Sequence, residues 1–503
     1  YDWGMTQKIY QWLFTYKWWI FLSYFLIVGL YGAYKPLPPE IGMKGTTYFL
    51  QNEAITFLSD ETFLNAAGER VAQQEIFDTV LALIAEAEKY ILVDMFLFNP
   101  FQGQSPETHR LLSQELTAAL VEKKTETPDI TITVISDPIN TVYEGQESDQ
   151  FAQLRAVGIP VILTNHLALR DSNPLYSAFW RGALQWPDRM HEVVLGDPYT
   201  VRWVPNIMDA GGEDVPLRSY LKLLNFKANH RKLIVADSKS EAGIVMKTLV
   251  TSANPHDGSS MHGNVALLVE GGVWRDIVKS EQAVAEFSGG VVPVVAEAEI
   301  AEEVAGDVGV TVLTEYAILE KVLEMLVTAQ AGDTIDLMMF YLSEDRIIDA
   351  LIAASQRGAQ VRVILDANKD AFGLEKNGVP NRPVADKLVR ETEGKIILRW
   401  CATHGEQCHS KMLLVATKNS HELLLGSANF TRRNLKNSNL ETNLVVSSVA
   451  PSQAYLEATQ YFNRLWQNEG GNLYTHEYEV YKDSSVWKRG HAWLMENTGL
   501  STF

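Results

Sequence analysis

A chain of 503 residues exceeds one ordinary domain and has the length of two or three packed units. Its 46% hydrophobic and 21% charged residues exclude a disordered, collagenous or coiled-coil chain, and 43 Lys+Arg against 62 Asp+Glu leave a net charge of −19. So acidic a surface repels a phosphate backbone unless a basic cleft is built locally, which argues against a nucleic-acid partner.

Residues 18–34 (WWIFLSYFLIVGLYGAY) carry no charge, and apolar character reaches back to Trp12. A helix over 12–34 would be about 34 Å long, enough to span a bilayer. Tyr and Trp crowd its ends, Lys17 can snorkel, and Lys35 followed by Pro36, Pro38 and Pro39 stops it. With no small-residue cleavage site after it, residues 1–45 are expected to be an uncleaved single-pass membrane anchor. Lysines on both sides (Lys8 and Lys17, Lys35 and Lys44) leave its orientation open.

Beyond the anchor the chain runs twice through one programme. A helical stretch at 75–90 precedes the strand ILVDMFLF, and 317–329 precedes TIDLMMFYL; next come strands ending at Asp137 (ITVISDP) and Asp366 (VRVILDAN). The alternation predicts parallel sheets covered by helices, an α/β fold in two lobes at 46–287 and 309–480. The linker 288–308 carries Glu297, Glu299, Glu302, Glu303 and Asp307, a solvated acidic run. An insert at 167–207 is dense in Tyr176, Phe179, Trp180, Trp186, Tyr199 and Trp203 and has no counterpart in the second half. It reads as a lid, a lipid-contacting surface or an extra packed subdomain. The tail 481–503, with Trp487, Lys488, Arg489 and Trp493, reads as an interfacial helix or as ordinary terminal packing.

Each half then holds a His, a Lys two residues later, and a Ser-Ala-Asn about twenty residues downstream. The first has His230, Lys232 and Asp237 in NHRKLIVAD, then Ser252 and Asn254; the second has His409 and Lys411 in CHSKMLLVA, then Ser427 and Asn429. Residues i and i+2 of a strand face the same way, so each His shares a face with its Lys. The double pattern resembles the phospholipase D superfamily, whose HxKxxxxD motif occurs twice per active site, and DPINTVYEG and the GSAN region are similar to bacterial cardiolipin synthases. The resemblance spans most of residues 70–465 and implies two lobes forming one active site.

The chemistry suits these residue types. A phosphodiester is anionic and its leaving group is an alkoxide, so a covalent intermediate splits one difficult displacement into two easier ones. The resemblance implies His230 as nucleophile and His409 as general acid, then base. Lys232, Lys411, Asn254 and Asn429, with Ser252 and Ser427 beside them, hold the phosphate oxygens without a metal or cofactor. It also implies a residue about thirty positions after each His that orients the His of the other lobe: Glu441 for His230, and Asn264 for His409. The second motif departs from the pattern in ending at Ala416 instead of Asp.

The expected function is phosphatidyl transfer from a phospholipid to an alcohol or to water; the rivals are a nuclease of the same superfamily and a catalytically silent membrane scaffold. Cys401 and Cys408 read as two thiols or one bridge, or with His404 and His409 as zinc ligands, although the spacing fits no standard finger. His256 and His262 read as polar loop residues or as pocket lining.

Overall fold

The run Leu233, Ile234, Val235, Ala236 is apolar at every position, and successive side chains of a strand point to opposite faces. Both faces are buried. Leu233 and Val235 enter a core shared with the second half of the chain, while Ile234 and Ala236 enter one formed with helices Ile76–Glu86 and Leu112–Glu126. The second half repeats the scheme. Met412 and Leu414 face the shared core; Leu413 and Val415 face helices Tyr316–Thr328, Asp345–Gln356 and Asn381–Glu391. Two sheets therefore pack face to face with helices outside. Each fully buried aliphatic side chain contributes about 1.5–3 kcal/mol.

The computed structural model describes residues 3–103, 110–185, 202–209, 211–240, 243–295, 300–301, 304–371 and 374–500. Within them one sheet has eight strands, ordered Arg70–Gln73, Ile55–Leu64, Asn264–Glu270, Gly243–Thr251, Lys232–Ser240, Tyr90–Met95, Thr131–Ser136, Val161–Leu163. The other has nine, ordered Lys44–Leu50, Val308–Thr314, Thr442–Ser448, His421–Gly426, Lys411–Ala416, Thr334–Met339, Gln360–Leu365, Ile397–Cys401, Thr475–Glu477. Only the helix-linked strands are parallel: Tyr90–Met95, Thr131–Ser136 and Val161–Leu163 in one sheet, Thr334–Met339, Gln360–Leu365 and Ile397–Cys401 in the other. The expected all-parallel sheets are thus mixed, because the strands that begin at Lys232 and Lys411 return through short connections that permit only antiparallel pairing. Strand Lys44–Leu50 pairs with Val308–Thr314 and so ties the amino end to the second sheet.

The membrane-spanning helix expected at 12–34 is corrected by the structure. A helix does form, over Trp3–Tyr34, but no helix among the described residues is long and apolar enough to cross a membrane. Tyrosines, tryptophans, glycines and Ser23 dilute its aliphatic residues, and Lys17 lies within it. Its later half is built into the first lobe. Asp171 N donates to Gly32 O at 3.0 Å and Arg181 Nη2 to Val28 O at 3.2 Å. A Cβ at Gly182 would sit 2.8 Å from the Phe25 ring, so the helices approach as closely as they do only with glycine there. A docked helix therefore replaces the transmembrane segment of the expected fold class, and the single-pass membrane location falls with it.

Of the insert, residues 186–201 lie outside the described residues, and with them Trp186 and Tyr199; the same holds for Glu297, Glu299, Glu302 and Glu303 of the linker. Trp180 is buried and Trp203 is exposed. In the tail, helix Val486–Thr498 sets Ala492 and Met495 on Phe340, Tyr341 and Val379, leaving Trp487 and Trp493 outside.

Asp237 ends the first motif but lies at the far end of its strand from Lys232. Its carboxylate accepts the backbone N–H groups of Glu88 at 3.2 Å, Lys89 at 3.0 Å and Tyr90 at 2.7 Å, fixing the entry to the neighbouring strand. Ala416 sits at the matching place in the second sheet, opposite Thr334, where Asp333 Oδ2 takes the Gln330 N–H within the turn. The missing acid therefore removes a strand-end support and leaves His409 and Lys411 untouched. Asp237→Ala should lower stability by about 1–3 kcal/mol, read as a reduced Tm, with turnover per folded molecule unchanged.

Candidate active site

Each histidine precedes the first residue of a central strand, and its own backbone is hydrogen-bonded to the other lobe. His230 N donates to Leu440 O at 2.9 Å, and His409 N donates to Gly263 O at 2.8 Å. These crossings carry the next side chain of each foreign strand up to the imidazole. His230 Nδ1 meets Glu441 at 2.9 Å; His409 Nδ1 meets Asn264 Oδ1 at 3.1 Å. A carboxylate or amide oxygen can only accept, so each ring carries its proton on Nδ1 and turns an Nε2 lone pair to the cleft.

The two half-sites match in detail. Lys232 Nζ donates to His230 O at 2.6 Å and Lys411 Nζ to His409 O at 2.5 Å. Phe96 lies edge-on to His230 at 4.8 Å and Phe340 to His409 at 4.9 Å, with the two ammonium groups 5.0 and 5.1 Å from those rings. Asp137 Oδ2 accepts from Asn229 N at 2.7 Å, and Asp366 Oδ2 from Cys408 N at 2.9 Å, so each strand-end acid holds the residue before a catalytic-site histidine.

Ser252 and Ser427, expected at the substrate, stand behind the histidines instead. Ser252 Oγ donates to Asn264 Oδ1 at 3.0 Å, and Ser427 Oγ donates to Glu441, orienting the groups that orient the rings. Asn254 gives its side-chain oxygen to Leu97 N at 3.2 Å. The side-chain oxygen of Asn429 is buried with no hydrogen-bond partner among the described residues, and a half-turn of that amide would present its NH2 to an anion. His262 joins the site, its ring 6.0 Å from His409, whereas His256 is held in its loop by Ser259 Oγ at 3.0 Å. Cys401 and Cys408 are joined in a disulfide, which takes both sulfurs out of any zinc site.

One buried assembly is absent from the sequence reading. Arg231, between the two motif residues, points into the shared core and reaches Glu281 at 2.7 Å and Glu315 at 2.8 Å; the same Glu315 oxygen accepts the Glu441 N–H at 2.9 Å. The only signal in the sequence is an arginine alternating with His230 and Lys232, on the face that turns inward.

Burial sets the protonation of the cleft. It pushes the His230 imidazole down to about 4, Glu441 resisting and Lys232 assisting, and it takes His409 well below its ordinary value with help from Lys411 and His262. Burial alone would raise Glu441, but His230, Lys232 and Ser427 outweigh it and hold the carboxylate low. The lysines are also driven down by burial, Lys232 to about 7 and Lys411, with Lys232 assisting, well below its ordinary value. Burial thus favours neutral imidazoles and weakens the hold of both lysines on their protons, while Glu441 stays charged.

An entering anion favours the charged ammonium forms and so reverses the effect of burial. With Lys232 at about 7, binding of inorganic phosphate at about pH 8 should take up protons, and affinity should fall as the pH rises above about 7. Calorimetry in buffers of different ionisation enthalpy measures the uptake; proton-neutral binding would contradict this picture of the lysines.

Residues 322–466 match the family model described as "Cardiolipin synthase, PLD-like domain". The sequence has no match among curated proteins. Among solved structures, phosphatidylserine synthase from Haemophilus influenzae is similar over 92% of this chain and 94% of its own, with TM-score 0.51 and 14% identity. Polyphosphate kinase from Porphyromonas gingivalis aligns over 89% of this chain and 53% of its own, with TM-score 0.45 and 12% identity. The phospholipase D family member Nuc from Salmonella typhimurium aligns over 34% of this chain and 98% of its own, with TM-score 0.26 and 19% identity. The family match thus lies within the second lobe, and the fold is shared along nearly the whole chain with the Haemophilus enzyme.

Proposed function

We propose that the protein transfers the phosphatidyl group of a phospholipid to an alcohol or to water through a phosphohistidine at His230. The observation that carries this is the pairing of two buried imidazoles, each held through Nδ1 by the opposite lobe, with a carboxylate behind only one of them. The lipid half of the reading rests on the family model matched by residues 322–466.

In the first step the Nε2 lone pair of His230 attacks phosphorus, forming an N–P bond as the P–O bond to the head-group alcohol breaks. His409, protonated once the anionic substrate offsets the cost of burying its charge, gives its proton to the departing oxygen. Glu441 stabilises the positive charge that the His230 ring acquires on bonding phosphorus; Asn264, an amide, gives His409 orientation and lets its proton leave. In the second step neutral His409 takes the proton of the acceptor hydroxyl, whose oxygen attacks phosphorus and expels His230. Lys232, Lys411, Asn254 and Asn429 hold the equatorial oxygens, where negative charge accumulates in both steps.

His230→Ala should lower turnover of labelled phosphatidylglycerol by at least about 10³-fold, and acid-quenched wild type should retain label on His230. Label on His409 would reverse the two roles. DNA cleavage without lipid turnover would replace this reading with a nuclease, and turnover of neither with a silent scaffold. His409→Ala should cost about 10²–10⁴-fold on a lipid substrate but far less on a p-nitrophenyl phosphodiester, whose leaving group departs without a proton. Equal losses on both substrates would remove His409 from the acid role.

A further inference from the structure

Outside the paired histidines, a cavity of about 340 Å³ opens between the insert and the turn that follows Asp137. Among its described lining residues four carry a cation, Arg181, Arg218, Lys222 and Lys227, and one, Glu144, an acid. Arg181 and Lys227 share Asp171, each at 2.8 Å, while Arg218 and Lys222 share Glu144 at 3.7 and 2.6 Å. Among the described residues, four cations and His166 thus meet three carboxylates, Asp171, Glu144 and Asp137, in a chain whose net charge is −19. The crowding is felt nearby: burial, with Lys227 and Arg181 assisting, pushes Lys35 down to about 8. Leu163, Leu167 and the buried Trp180 supply an apolar wall.

The turn beside this cavity is held in a costly shape. Val142, Tyr143 and Glu144 all have left-handed backbone, with φ of 45, 54 and 70°. Such conformations cost about 1–2 kcal/mol each outside glycine and are found where surrounding structure enforces them. Here Tyr143 N donates to Pro138 O at 2.8 Å and Glu144 N to Thr141 Oγ1 at 3.1 Å, and the result is to place Tyr143 and Glu144 on the cavity wall. The wall also touches the nucleophile's support. His166, in the lining, bonds Asp137 Oδ2 at 2.8 Å, the same oxygen that accepts Asn229 N beside His230.

We propose that this cavity is a second binding site, for a phosphate ester that carries an apolar group, placed one hydrogen-bonded carboxylate away from the His230 loop. The clustered Arg181, Arg218, Lys222 and Lys227 take the phosphate, and the wall of Trp180, Leu163 and Leu167 takes the apolar part. The site stands on its own geometry and does not depend on the catalytic reading.

The test uses the full chain with His230→Ala, which prevents turnover, and titrates dihexanoyl phosphatidic acid, glycerol 3-phosphate and inorganic phosphate by calorimetry. Two equivalents of dihexanoyl phosphatidic acid should bind, and adding Arg218→Glu and Lys222→Glu should weaken one of them at least tenfold and spare the other. The acylated probe should bind the second site at least tenfold more tightly than inorganic phosphate; equal affinities would reject the apolar half of the proposal. A diazirine-tagged dihexanoyl phosphatidic acid should label residues 163–185 of the unsubstituted cavity, a readout independent of whether the charge-reversed variant folds. Binding left unchanged by Arg218→Glu and Lys222→Glu, or labelling elsewhere, would overturn the proposal. Labelling of the cavity in a wild type that turns over no lipid would keep this site and remove the catalytic reading.

Discussion

The structure turns on a carboxylate that one lobe sends into the other. Glu441 comes from the second lobe and His230 from the first, and both are buried, Glu441 completely. A buried charge is tolerated only with partners, and Glu441 has several: the His230 ring, Ser427, Asn434 and, through its own N–H, Glu315. Glu315 in turn holds Arg231, the neighbour of His230, whose other end meets Glu281. The chain of charges starts and ends beside the same histidine and crosses between the lobes twice. Removing one member of such a set leaves an unpaired buried charge, which costs about 3–5 kcal/mol, so the lobes are held in one relative position by the groups that serve the site.

Duplication gives the cleft its near two-fold symmetry, and the two lobes break it at a few side chains. Glu441 against Asn264 is the break that matters chemically, since a carboxylate favours a positively charged ring and an amide does not. Asp237 against Ala416 looks larger in sequence but falls at the far strand ends, where it changes how a turn is supported. Lys376 is a further break. It reaches Tyr341 and lies 5.8 Å from the Phe340 ring, adding a cation to the His409 side alone.

The histidine-lysine pairs and the α/β class were legible because each leaves a local or repeated trace, period two and the alternation of helix and strand, whereas the partners Glu441 and Asn264 followed from the resemblance to the phospholipase D superfamily. Arg231 was not legible, since its partners Glu281 and Glu315 lie 50 and 84 residues away and an arginine beside a motif looks like any surface cation. The roles of Ser252 and Ser427 were also hidden, because a serine two residues before an asparagine does not reveal which way its hydroxyl turns. The amino-terminal helix misled for a physical reason. An aromatic, uncharged run has the same composition whether it faces lipid or packs on Gly182 and Ala178 of its own chain, and only the contacts distinguish the two.

The central proposal is that the two half-sites form a single phosphate site with His230 as the reacting group. A crystal structure with tungstate bound measures it directly. The account predicts the tungsten within bonding reach of His230 Nε2, its oxygens shared among Lys232, Lys411, Asn254 and Asn429 from both lobes. An anion bonded to His409, or one held by the His and Lys of a single lobe, would contradict it.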